Sequence, residues 1–276
     1  MLAFLRMGRE GNLRIHRLVG VALLHTAVLA GTGISAWPAD FPAQAQPGDL
    51  GCQHAMSALT DLRSGLTLPP YFSTENPEKQ GGEFDPNLYF EAFPHLRMEK
   101  GYTLDYVYHQ DGMGGYPILY ARPIARPPYA TESAYRAAGD HPDYLKFVIP
   151  QNSPEGYFEF AAFVMMANQF YQDWHANYND RQVVCSSQDV DAIIQSLEAQ
   201  GSAARPMTPQ QQQAARDIEN PEPSVVINDT AATVTMVVFT KWGGFYRRTL
   251  TIGRPDHSIL DEQDRPLVDY ECGITF

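Results

Sequence analysis

Residues 172 to 180, Gln-Asp-Trp-His-Ala-Asn-Tyr-Asn-Asp, gather groups able to move a proton around one tryptophan. His175 titrates nearest neutral pH among them, and Asn179 or Asp180 is placed to fix its ring, the arrangement an acid–base residue needs. If helical spacing runs through Tyr178, Asp173 and His175 stand about 200° apart around the axis, so these two form neither a dyad nor a shared metal site. The competing reading has His175 satisfying carbonyls at a helix C-terminus, with Asn179 and Asp180 building the turn beyond it.

A second candidate is Lys241-Trp-Gly-Gly-Phe-Tyr-Arg-Arg248, where Trp242, Phe245 and Arg247 offer two rings and a guanidinium at a hairpin tip. Exposed aromatics there would stack on sugar rings or meet a protein, whereas a Trp242–Phe245 cross-strand pair would only stabilise the turn. His109-Gln-Asp111 and His141-Pro-Asp143 each sit where a strand meets a loop and read as turn polarity. The run from Arg254 to Asp264 carries Asp256, His257, Asp261, Glu262 and Asp264 but lacks the glycine and spacing of a calcium loop. Cys52, Cys185 and Cys272 lack zinc-site spacing, so neither metal nor cofactor is expected. Residues 46 to 276 contain no serine-hydrolase elbow, phosphate-binding loop, zinc-protease helix or dinucleotide fingerprint.

Local patterns predict the elements that must hold these residues. Cys52, Ala55, Met56, Leu59 and Leu62 recur at helical spacing up to Gly65. Residues 66 to 87, with four prolines, read as a loop, and Leu88 to Phe93 as a strand. Strands from Tyr102 and Tyr116, joined by Gln-Asp-Gly-Met-Gly-Gly, form a hairpin. Residues 123 to 143 are loop with a turn of helix at Thr131 to Ala138, and a strand follows from Tyr144. Ser153 caps a long buried helix with Pro154 at its first position, continuing to Tyr178 along a stripe of Phe163, Met166, Phe170 and Trp174. Arg181 to Ser187 reads as a strand and Ser187 caps a helix ended by Gly201. Residues 202 to 223 are a polar linker in which Thr208 and Pro209 open a short helix. Residues 224 to 276 hold a hairpin with a Gly243-Gly244 turn, then short strands at 258–260 and 267–275. Pairing Trp242 with Phe245 puts Thr235, Val237, Phe239, Arg248, Leu250 and Ile252 on one face. The fold class is α+β: an antiparallel sheet built from hairpins, packed against one long buried helix and one or two shorter ones, with 46–201 as the main region.

The N-terminus carries the location signal. Arg6, Arg9, Arg14 and Arg17 precede an uncharged run from Leu18 to Ala36, and Ala43 and Ala45 suit a cleavage site after residue 45. That order reads as a secretory signal peptide, 1–45, with an uncleaved anchor or a lipid-modified Cys52 as alternatives. Removing four of the 20 basic residues and two of the 32 acidic ones, Glu10 and Asp40, leaves 16 against 30, a formal charge of −14. Such a chain is a poor partner for nucleic acid or an anionic membrane surface. In an oxidising compartment three cysteines imply one disulfide, with Cys185–Cys272 the expected pair. The expected function is a noncatalytic secreted, periplasmic or cell-envelope protein that binds a protein or glycan. The alternatives are an extracellular hydrolase-like enzyme using His175 and a purely structural role in an exported assembly.

Overall fold

Two long hairpins and a buried helix contribute to one hydrophobic core. The computed structural model describes residues 50–139, 141–199 and 205–273. The expected signal peptide and its cleavage site, Gly201 and Thr275 lie outside them. The described residues belong to one compact unit, Pro42–Phe276.

Helix α1 (Cys52–Arg63) leads through prolyl-rich chain into α2 (Tyr89–Ala92), then β1 (Leu96–Met98), β2 (Tyr102–Gln110) and β3 (Gly114–Pro123). After α3 (Glu132–Ala137) and β4 (Val148–Pro150) comes α4 (Pro154–Met166). The two-residue strand β5 (Asp173–Trp174), β6 (Gln182–Val184), α5 (Ser187–Ala199) and α6 (Pro209–Arg216) follow. Strands β7 (Ser224–Ile227), β8 (Ala231–Thr240), β9 (Gly244–Gly253) and β10 (Ile259–Val268) complete the order. The class is α+β, and every strand pairing is antiparallel. One sheet runs β10–β9–β8, with β6 and β7 sharing the free edge of β8; the others are β2–β3–β5 and β1–β4.

The long hairpin is buried on both faces, which is why it reads as nearly continuous apolar chain. Val234, Met236, Val238, Leu250 and Ile252 face the core that surrounds α4. Val237, Phe239 and Phe245 face a second core with Ile193, Ile194 and Leu197 of α5 and Ala215 of α6. Phe239 stands opposite Phe245, so the Trp242–Phe245 pair is replaced by Phe239–Phe245, and the Thr235–Arg248 grouping is split between the two faces. The loop holds three residues, Lys241 to Gly243, not two, and an odd shift of register turns one strand over. Gly244, at φ +76°, carries the positive angle, and a Cβ there would lie 2.1 Å from the Val268 carbonyl.

Four other expectations are corrected. Helix α4 ends at Met166, whose carbonyl accepts from the Arg63 guanidinium, instead of reaching Tyr178. Phe170 must leave the helix to pack against Phe84, Tyr89 and Tyr106, and Tyr171 turns at φ +50°. Residues 89–92 are helical rather than extended because Asp85 caps a 3-10 turn at Pro86–Leu88 that leads straight into α2. The end of the chain holds one strand, β10, with irregular register at 259–261 and 266–268, in place of two short ones. The disulfide is Cys52–Cys185, joining the start of α1 to the end of β6, while Cys272 is a buried free thiol. Helix α6 is capped by Thr208 and Gln211 reciprocally and buries Ala215. Among the described residues no helix is long and apolar enough to cross a membrane.

Candidate functional site

The residues singled out in the sequence are dispersed by the fold. His175 begins a 3-10 turn, His175–Asn179, and its ring lies 4.4 Å from that of Trp174. Since this segment is not α-helical, neither the 200° separation nor a helix C-terminus applies to it. Asp180 turns toward the Gln169 side-chain amide, 3.1 Å away. Burial pushes the Asp180 carboxyl up, against the charges of Arg63, Lys241 and Arg181. The Asn179 side chain lies outside what the structure describes. Phe245 is wholly buried, and Arg247 spends its guanidinium on the carbonyls of Glu219 and Asn220. Trp242 lines an open groove with Gln211, Asp269 and Tyr270. The hairpin tip is therefore mostly core, with one ring of the two left at its surface.

A different set of side chains converges on the outer face of β2–β3–β5. Alternation along β2 sends Leu104, Tyr106 and Tyr108 into the α4 core, and sends Asp105, Val107 and His109 outward. Near the start of β2 that outer face is closed. Asp105 accepts from Lys79 (2.5 Å) and Arg122 (2.8 Å), and Tyr120 packs against Tyr129 and Tyr135. At the hairpin end it opens, and His109, Tyr116 and Trp174 stand on it together.

Glycines and turn chemistry build this end. Asp111 Oδ1 accepts from the backbone N–H groups of Met113 and Gly114, and Gly112 takes φ +81°, which closes the β2–β3 turn. A Cβ on Gly115 would lie 2.5 Å from the Tyr108 hydroxyl, so only glycine admits that ring beneath β3. The same hydroxyl donates to the Tyr171 carbonyl at 2.6 Å, where the chain turns back to lay Asp173 and Trp174 against Gly115 and Gly114. Gln110 donates to Asp173 on the inner side (3.1 Å), so Trp174 falls on the outer side with Tyr116.

Trp174 has φ +43° and ψ −108°, a conformation favoured by glycine and disfavoured by any residue with a Cβ, at about 1–3 kcal/mol. Its side chain is nevertheless 54% exposed, beside Tyr116 at 40% and Met113 at 53%. His109 lies under Tyr116, ring centres 5.0 Å apart. Its Nδ1 is 2.7 Å from Glu132 Oε2, and its Nε2 is 3.8 Å from Asp111 Oδ2. Burial raises the Glu132 carboxyl, but hydrogen bonds from His109 and Arg136 outweigh it and hold the group below its ordinary value. A carboxylate only accepts, so His109 Nδ1 is the donor in this contact. Burial, then the charges of Glu132 and Asp111, raise the Tyr116 hydroxyl, and the charge of Arg136 opposes them.

Two exposed rings, an imidazole and two carboxylates on an open face can stack and hydrogen-bond a ligand. A second polar centre is structural: Glu159, buried in α4, accepts from the His95 backbone N–H and ring Nδ1, each at 2.7 Å, and so fixes the turn between α2 and β1. Burial raises that carboxyl above its ordinary value despite both bonds.

Of this face, the sequence exposed only the His109–Asp111 alternation. Glu132 lies 23 residues from His109 and is brought back by the 123–131 loop. Trp174, at helical spacing from Phe170, reads as a buried stripe residue and is instead the most exposed aromatic ring of the cluster. No family model, no curated protein and no solved structure matches the chain.

Proposed function

We propose that the chain is an exported, noncatalytic binding protein whose ligand docks on the outer face of β2–β3–β5. Export is supported by the basic-then-apolar order of residues 6 to 36 and by the Cys52–Cys185 disulfide, which persists in oxidising compartments. The observation that carries the binding reading is Trp174: an exposed large ring held on an ordered strand in a backbone conformation that opposes folding. A residue serving stability alone would relax to glycine or asparagine there. His175 enters as the ring packed beside Trp174, not as an acid or base.

The test is retention by the isolated cell-envelope fraction of the producing organism. Parent protein and Trp242→Ala should be retained alike, and Trp174→Ala should be released. Equal retention of parent and Trp174→Ala, or no retention of any of the three, contradicts the reading.

A further inference from the structure

We infer that the ligand of the His109–Tyr116–Trp174 face is a neutral glycan, an inference that rests on the binding reading above and specifies its chemistry. The two exposed rings are diagonal neighbours across β3 and β5, because Trp174 stands opposite Gly114 and Tyr116 is two residues along. Such neighbours are roughly 7–8 Å apart. Between them Gly114 is overlain by the turn that begins at His175: a Cβ there would lie 3.2 Å from the Asp173 carbonyl and 3.4 Å from the Ala176 backbone nitrogen. Two exposed aromatic rings on one sheet face match successive pyranose rings, whose C–H faces are apolar and weakly positive and so complement the negative face of an aromatic ring.

The rim supplies the other half of sugar recognition. Hydroxyl groups need acceptors that are ordered in advance, and Asp111, held by Met113 and Gly114 N–H groups, and Glu132, held by His109 and Arg136, are fixed without a ligand. The Met113 N–H, first among its partners, holds the Asp111 carboxyl below its ordinary value. These two carboxylates exclude polyanions such as nucleic acid and sulfated glycans, whose charge would meet like charge. Arg136, the nearest guanidinium, is already spent on Glu132 at 2.5 Å. A protein partner suits the face less well. A stable interface buries roughly 800 Å² per side around an apolar centre depleted of charge, and here two carboxylates border the pair of exposed rings.

The test uses the purified protein and isothermal titration with cellohexaose, N-acetylated chitohexaose and xylohexaose, and with a heparin hexasaccharide as the anionic control. At least one neutral hexasaccharide should bind and heparin should not. Trp174→Ala and Tyr116→Ala should each weaken that binding about tenfold, the loss of one stacked ring. Tyr116→Ala guards against a folding defect specific to Trp174, and unchanged unfolding midpoints qualify both variants. The envelope experiment separates the two levels of inference. Retention that depends on Trp174 and is abolished when the envelope is oxidised with periodate supports a glycan. Retention that depends on Trp174 but is abolished by trypsin and spared by periodate, with no heat from any neutral hexasaccharide, overturns the glycan and leaves the binding face standing. Retention indifferent to Trp174 overturns both.

Discussion

Breaking the Cys52–Cys185 bridge should be the most destabilising chemical change available to this chain. The two cysteines are 133 residues apart, so the bond closes a loop spanning α1, both small sheets and α4. In the chain-entropy treatment, a loop of that length removes unfolded-state freedom equivalent to about 5 kcal/mol at 25 °C. That is comparable to the whole net stability of many domains. The assay is denaturant unfolding of the oxidised protein against Cys52→Ser/Cys185→Ser, at equal protein concentration. The double variant should lose about 3–5 kcal/mol, the lower end allowing for residual structure in the unfolded chain. Cys272→Ser should leave the bridge intact, and thiol titration of the denatured parent should find one thiol. A loss under about 1 kcal/mol, or a peptide map linking Cys185 to Cys272, would refute the reasoning.

Two further consequences can be checked on the same instruments. Gly244→Ala should cost about 3 kcal/mol or more, because it combines φ +76° with a Cβ 2.1 Å from the Val268 carbonyl; an unfolding midpoint equal to the parent's would show that the β8–β9 loop is built otherwise. Tyr71→Phe removes a 2.6 Å donor from Glu83. Burial raises that carboxyl, but Tyr71 and the Gln80 and Gly81 N–H groups outweigh it and hold Glu83 below its ordinary value. The stabilisation is therefore present at neutral pH and lost as pH falls below about 4.5. The variant should be about 1–2 kcal/mol less stable at pH 7, with the gap shrinking at pH 3; a gap that widens in acid would reverse the assigned sign.

Much of the architecture was legible locally. Ser153-Pro154 marks the start of α4, Thr208-Pro209 the start of α6, and the glycine-rich links mark both hairpins, since capping and turn conformation are decided within a few residues. What failed was decided at a distance. The end of α4 depends on Phe170 finding Phe84 and Tyr89, some 80 residues earlier in the chain. The partner of Cys185 depends on α1 reaching β6 in space. The β8–β9 register turned on whether two or three residues form the loop, and that single difference moved Trp242 out of the pair and Phe245 into the core. The candidate face shows the same division: His109 and Asp111 alternate visibly on β2, whereas Glu132 and Trp174 arrive from segments whose placement no local pattern encodes.

The central claim, that ligand covers the outer face of β2–β3–β5, is tested most directly by oxidative footprinting of the protein bound to its envelope fraction and free. Mass spectrometry of the peptides reads Trp174, Tyr116 and Met113 on the face and Trp242 away from it. Binding should slow oxidation of the first three together and leave Trp242 unchanged. Protection of Trp242 with continued oxidation of Trp174 would contradict the account.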